Sequence, residues 1–236
     1  MSKKHYTMQR LLSRGRVFWG LLLSLLLVSC VDKAEPVPIS FEELCLLSPE
    51  NLANMNGDAV PEWVESDFGS PPSISTGADG SVVVVFNGSS ARLGEFVGNI
   101  LVREGRINGI SLHDLQAGPH FGEVVMGLGD PASVNHYCAM PHEPQWVEIG
   151  LDYPTTGVSV YASESRSRGS LAVEGGLGIV LSEELQVDLV QCYPPAPTME
   201  EIINRDHSLT PTARRLKLEN RVPWTGFGSI VPLTEP

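Results

Sequence analysis

The strongest constraint on how this chain can fold is an internal echo. Val64-Glu65-Ser66-Asp67-Phe68-Gly69-Ser70-Pro71-Pro72-Ser73-Ile74 returns as Val124-Val125-Met126-Gly127-Leu128-Gly129-Asp130-Pro131-Ala132-Ser133-Val134, every position displaced by 60. Both copies read V-x-x-x-[FL]-G-[SD]-P-x-S-[IV]. Glycine closes a helix in the left-handed conformation at little steric cost, and a proline just beyond cannot continue it. The pattern therefore predicts a helix, a glycine stop and a strand, twice over. In the second copy Phe121, Val124, Val125 and Leu128 take the i, i+3, i+4, i+7 spacing of one apolar helical face. A fainter match, displaced by 78, pairs Pro119, Phe121, Glu123, Val124 and Val125 with Pro197, Met199, Glu201, Ile202 and Ile203, and predicts a third helix start.

Strands follow each copy in comparable order. Residues 82–86, 97–103 and 106–112 form a meander with a tight Glu104-Gly105 hairpin; after the second copy come 146–153, a Pro154-Thr155-Thr156-Gly157 turn, 158–162 and 186–192. Ahead of the first copy, Ser40 and Glu43 make a capping box, and Ser48-Pro49 a second helix start with Leu52 and Met55 turned inward. Residues 163–178, rich in Ser, Arg and Gly, read as an exposed excursion. Near the end, Thr210-Pro211 predicts a short helix over 213–219, and Trp224 and Phe227 are expected to seal a core edge rather than bind a ligand.

A helix ending in L-G-x-P before antiparallel strands, carried by Phe121, Val124, Val125, Leu128, Gly129 and Pro131 and repeated at Val64, Phe68, Gly69 and Pro71, resembles the fold of the small outer-membrane-assembly lipoproteins and the beta-lactamase-inhibitor proteins. The resemblance covers about a fifth of the chain. It implies a non-catalytic module whose sheet face binds another protein of the cell envelope. The chain departs from those families in its greater length and in lacking a recognisable partner-binding signature.

The N-terminus is laid out like an export leader. Lys3, Lys4, Arg10, Arg14 and Arg16 form a basic region without an acid, and an apolar run of about 12 residues, 17–28, follows. Spanning a bilayer as a helix takes roughly 20 residues, so this run makes a poor permanent anchor. Leu27-Val28-Ser29-Cys30 is similar to the lipobox of bacterial lipoproteins. That resemblance implies cleavage between Ser29 and Cys30 and a diacylglycerol on the Cys30 thiol, which with further acylation makes a stable tether. The other reading is an ordinary signal peptide or a signal anchor with an accidental cysteine. Val31 is not the aspartate that retains many lipoproteins at the inner membrane, so the expected location is the cell membrane or outer membrane, facing away from the cytoplasm.

Removal of the leader sharpens the charge balance. The chain has 16 Lys+Arg and 28 Asp+Glu, and the mature part keeps 11 of those cations, for a net charge of about -17. Such a surface repels nucleic acid and anionic headgroups. Cys45, Cys138 and Cys192 remain after lipidation, enough for one internal disulfide at most, and no C-x-x-C pair offers zinc or redox chemistry.

Motifs that carry chemistry are mostly absent from the sequence. G-x-S-x-G, H-E-x-x-H, a P-loop and a dinucleotide glycine fingerprint do not occur. Gly175-Gly176-Leu177-Gly178 lies between no strand and helix start and reads as a turn. His136, Cys138 and His142 form one weak metal candidate: positions 136 and 138 share a strand face, and a turn through Met140-Pro141 could bring the second imidazole round. No fourth ligand is nominated, and Cys138 reads equally as a small buried hydrophobe or a partner for Cys192. His113-Asp114 reads as a solvated corner. Glu42-Glu43, Glu183-Glu184 and Glu200-Glu201 are placed near helix starts, where carboxylates suit the dipole.

The expected fold is α+β, mainly antiparallel sheet with short packed helices, in two diverged tandem modules that share an interface. The divisions are 1–29 signal peptide, 30–39 lipid-anchored spacer, 40–117 first module, and 118–236 second module with a C-terminal tail. The expected function is non-catalytic binding of a protein or ligand in the cell envelope, with no cofactor, no nucleic acid, and the membrane met through the lipid. A metal-binding lipoprotein, a hydrolase with an unfamiliar site and a structural surface protein stand as alternatives.

Overall fold

Strict alternation builds the sheet. In β3 (Gly94–Arg103), Phe96, Gly98, Ile100 and Val102 are buried while their neighbours are partly exposed, the period of a strand with one face on a core. The computed structural model describes residues 36–138, 146–165, 178–205 and 209–232. The leader, Ser29, Cys30 and most of the expected spacer fall outside the described residues.

The architecture is α+β, with one mainly antiparallel sheet and short helices. The helices are α1 (Phe41–Cys45), α2 (Pro49–Asn54), α3 (Val60–Phe68), α4 (Phe121–Leu128), α5 (Met199–Arg205) and α6 (Pro211–Glu219). Besides β3, the sheet contains β1 (Ser73–Thr76), β2 (Val82–Ser90), β4 (Arg106–His113), β5 (Ser133–Cys138), β6 (Trp146–Tyr153), β7 (Val158–Ser165), β9 (Leu189–Cys192) and β10 (Arg221–Pro223). Its order is β1-β2-β3-β4-β9-β7-β6-β5-β10, and β8 (Gly178–Val180) pairs apart with β11 (Ile230–Pro232).

That order has an inner symmetry. The meander β1 to β4 follows α3, the meander β5, β6, β7, β9 follows α4, and the two join antiparallel through their last strands, Ile110↔Cys192 to His113↔Leu189. Residues Val37–Pro236 form one compact unit. A disulfide between Cys45 of α1 and Cys192 of β9 crosses the same seam. Cys192 thus pairs with Cys45 rather than Cys138: α1 packs against β9, whereas Cys138 lies in β5, three strands away across the sheet.

The echo is realised as helix, glycine and strand in both copies, with α3 and α4 ending at matched positions and β1 and β5 beginning at matched positions. Only Gly69 is left-handed helical, at φ 67 and ψ 6; Gly129 takes φ 83 and ψ -168, an extended positive-φ conformation that is essentially glycine's alone. Phe121 and Val124 are fully buried, and Val125 and Leu128 pack partly buried against the core.

The capping residues behave as their chemistry predicts. The Glu43 backbone N–H donates to Ser40 Oγ while the Ser40 N–H donates to Glu43 Oε2, and the Asn51 N–H donates to Ser48 Oγ. The third helix start becomes α5, and Thr210 caps α6. Trp224 and Phe227 meet edge to face, 5.1 Å between centroids, partly buried on the core.

Some expectations need correction. Glu183-Glu184 lies in a turn, where the Glu184 N–H donates to Ser182 Oγ, and no helix begins there. The last strand of the second meander starts at Leu189, because Val187 and Asp188 donate instead to the carbonyls of Pro119 and Tyr161. Short strands β8, β10 and β11 carry no periodic signal at three residues each.

Candidate functional site

The two faces of the sheet differ in chemistry. One carries the core and is covered by α1 to α4. On the other, the pairing registers line up one residue from each successive strand: Asn99, Ser111, Gln191, Ser159, Asp152 and Ser133. Each is a polar residue between apolar neighbours, so strand periodicity alone sends them to a common side. Residues of α5, α6 and the start of β10 border the middle of this row, and a cleft lies between them and the sheet.

Asp152 anchors the row. It is fully buried, and its two carboxylate oxygens accept four hydrogen bonds: Oδ1 from Asn135 Nδ2 at 2.9 Å and Ser159 Oγ at 2.7 Å, Oδ2 from Ser133 Oγ at 3.0 Å and Arg221 Nε at 2.9 Å. A buried carboxylate is tolerated only with such compensation, and here the counter-charge is the Arg221 guanidinium, 12% exposed. Because Ser159 gives its one hydrogen to Asp152, the 2.6 Å contact between Ser159 and Tyr193 has the Tyr193 hydroxyl as donor. Burial pushes the Tyr193 phenol well above its ordinary value, so it keeps that proton.

The cleft has two lobes, of about 240 Å³ and about 380 Å³. The first lies among Val83, Leu101, Met199, Ile202 and Asn99; the second among Leu189, Ala213, Leu216, Asn135 and Glu148. Tyr161, Gln191, Lys217 and Arg221 border both. The Tyr161 ring lies over Gly150, where an added Cβ would stand 2.7 Å from it. Burial, and the nearby Asp188 charge after it, raise the Glu148 carboxyl above the ordinary range, while Lys217 pulls the other way.

Chemically the network holds rather than reacts. A serine nucleophile needs an accessible hydroxyl and a base free to take its proton. Ser159 has no exposed surface, and Asp152 already accepts from four donors.

No protein-family model, no curated protein and no solved structure matches this chain.

Of the residues singled out from the sequence, His136 sits in β5 opposite Ile149, 3% exposed, and contributes to the wall of the second lobe. Burial lowers its pKa. Position 138 ends the same strand opposite Val147, but its side chain and His142 fall outside the described residues. Among the described residues no three of His, Cys, Asp and Glu are grouped to hold a metal ion. Asp114 is exposed at a positive-φ corner after His113. Sequence reasoning missed Asp152 and Arg221. The available signal was a pair of acids, Glu148 and Asp152, on one side of an otherwise apolar strand, Trp146-Val147-Glu148-Ile149-Gly150-Leu151-Asp152-Tyr153.

Proposed function

We propose that this chain is an exported lipoprotein of a bacterial cell envelope, tethered through acylated Cys30, whose folded part binds a ligand in the two-lobed cleft without catalysis. The cleft carries the reading. Its walls mix apolar side chains with convergent polar ones, and its two lobes together fall within the roughly 300–1,000 Å³ that small-molecule sites occupy. Saturation of Asp152 supports binding over chemistry. Export is supported by the basic and apolar leader, the Leu27-Val28-Ser29-Cys30 sequence, and the Cys45–Cys192 disulfide, since such bonds persist mainly outside the cytoplasm. Among the described residues no helix is long and apolar enough to cross a membrane.

Two experiments test the two halves. Labelled palmitate should enter the wild-type chain and not Cys30→Ala; equal labelling would remove the tether. Hydrogen exchange of the detergent-solubilised chain, with and without a small-molecule extract of the host envelope, should slow in β9, α6 and β10. Unchanged exchange throughout the cleft would count against ligand binding.

A protein partner is the second reading. It is favoured by Val85 and Val97, which stay partly exposed on the same sheet face beyond the cleft.

A further inference from the structure

Cations are scarce in this acidic chain, yet Arg205, Arg214, Arg215, Lys217 and Arg221 gather within its last stretch, and Arg205, Lys217 and Arg221 border the cleft. Arg205 is occupied, its Nη1 donating to the carbonyls of Pro194 and Pro195. Arg221 is not. Its Nε is held by Asp152, which fixes the guanidinium plane, while Nη1 is buried with no hydrogen-bond partner among the described residues. A guanidinium presents five donors and no acceptor, and leaving buried N–H groups unpaired is costly. Lys217 stands at the same waist between the lobes, and Gln191 supplies a further amide. The acids at the waist are Asp152, which pairs with Arg221, and Glu148, close enough to Lys217 for its charge to be felt. Each lobe also has an apolar part to its wall: Leu101, Met199 and Ile202 in one, Leu189 and Leu216 in the other.

We propose that the waist of the cleft binds an oxyanion, a carboxylate or a phosphate monoester, carried on an apolar body that fills a lobe, with Arg221 and Lys217 as its cations. This rests on the binding reading above and names its ligand class. Asp152 and its other three donors act as the positioning group: they hold Arg221 in one orientation before the ligand arrives, so little ordering cost remains at binding.

The test is calorimetric titration of the full chain in neutral detergent with phenylacetate, phenyl phosphate and the uncharged phenylacetamide. Saturable binding of either anion, and at least about tenfold weaker binding of the amide, is expected. Whichever anion binds more tightly identifies the group. Lys217→Gln should weaken the anion about tenfold, and Arg221→Lys by a similar factor or more, whereas Arg215→Gln, on α6 but away from the cleft, should bind as wild type. Lys217 is exposed, so its variant reports on the site even if Arg221→Lys unfolds. Equal binding of anion and amide, or wild-type anion binding by Lys217→Gln, would overturn the oxyanion site while leaving an apolar binding cleft. No binding of any of the three would overturn both.

Discussion

At the scale of single residues, Asp152 decides the most. Removing its charge leaves Arg221 buried without a counter-ion and replaces an acceptor with an amide that cannot serve four donors. Asp152→Asn should therefore cost about 3–5 kcal/mol, read as a lower urea midpoint at unchanged slope. His136 sets a pH dependence of the opposite origin. Burial lowers its folded-state pKa from the ordinary 6.5, so in acid the unfolded chain takes up the proton first. The stability it contributes is complete above that ordinary value and is lost as pH falls below it toward the lowered one. Relative to His136→Asn, the wild type should lose stability as pH falls from about 7.5 through the ordinary 6.5, by at most about 1.4 kcal/mol per pH unit. Parallel curves for the two proteins would show that His136 does not titrate between the states.

At the scale of elements, the two copies of the echo diverge where their surroundings differ. Position 127 in α4 is glycine, whereas its counterpart in α3 is Asp67. The reason is the chain at Ile39, which crosses α4 and donates its N–H to the Glu123 carbonyl. A Cβ built on Gly127 would meet the Ile39 carbonyl oxygen, a backbone atom that cannot swing aside. Arg92 ties the same corner, donating to the Val37 carbonyl at 2.8 Å and to Glu123 at 3.3 Å. Gly127→Ala should then destabilise by about 1–3 kcal/mol, although alanine is the better helix former, whereas Asp67→Ala on α3, which gives up only an exposed hydrogen bond from Trp63 Nε1, should cost less than about 1 kcal/mol. Thermal unfolding of the two variants distinguishes packing from propensity.

At the scale of the whole molecule, two meanders become one sheet through the β4–β9 seam, and the Cys45–Cys192 bond closes a loop with a sequence separation of 147 across it. A cross-link over so long a loop chiefly restricts the unfolded chain. The double variant Cys45→Ala/Cys192→Ala should lose about 2–5 kcal/mol in chemical denaturation, and reductant should lower the wild-type midpoint to match. A wild type indifferent to reductant would show that the bond contributes nothing. The same seam puts the residues of 40–117 and 118–236 on a common polar face, so Asn99 and Ser111 from one segment line a cleft completed by Gln191 and Arg221 from the other.

Local physics made much of this legible in advance. Capping boxes, glycine stops, the apolar face of α4 and the alternation in β2, β3, β6 and β7 are short-range rules, satisfied within a few residues, and the order of elements followed from them. The cleft obeys a different logic. Asp152 and Arg221 are 69 apart in sequence, and Cys45 and Cys192 are 147 apart; nothing in either neighbourhood marks the other. Strand order and register brought the first pair together, and the packing of α1 on β9 the second. A polar residue on an alternating strand has the same local pattern whether it faces water or a buried arginine, because the covering elements come from elsewhere in the chain. The sequence by itself determined the elements and which side of each strand is polar; only the tertiary structure decided which polar sides meet, and that α5, α6 and β10 flank them to make a site.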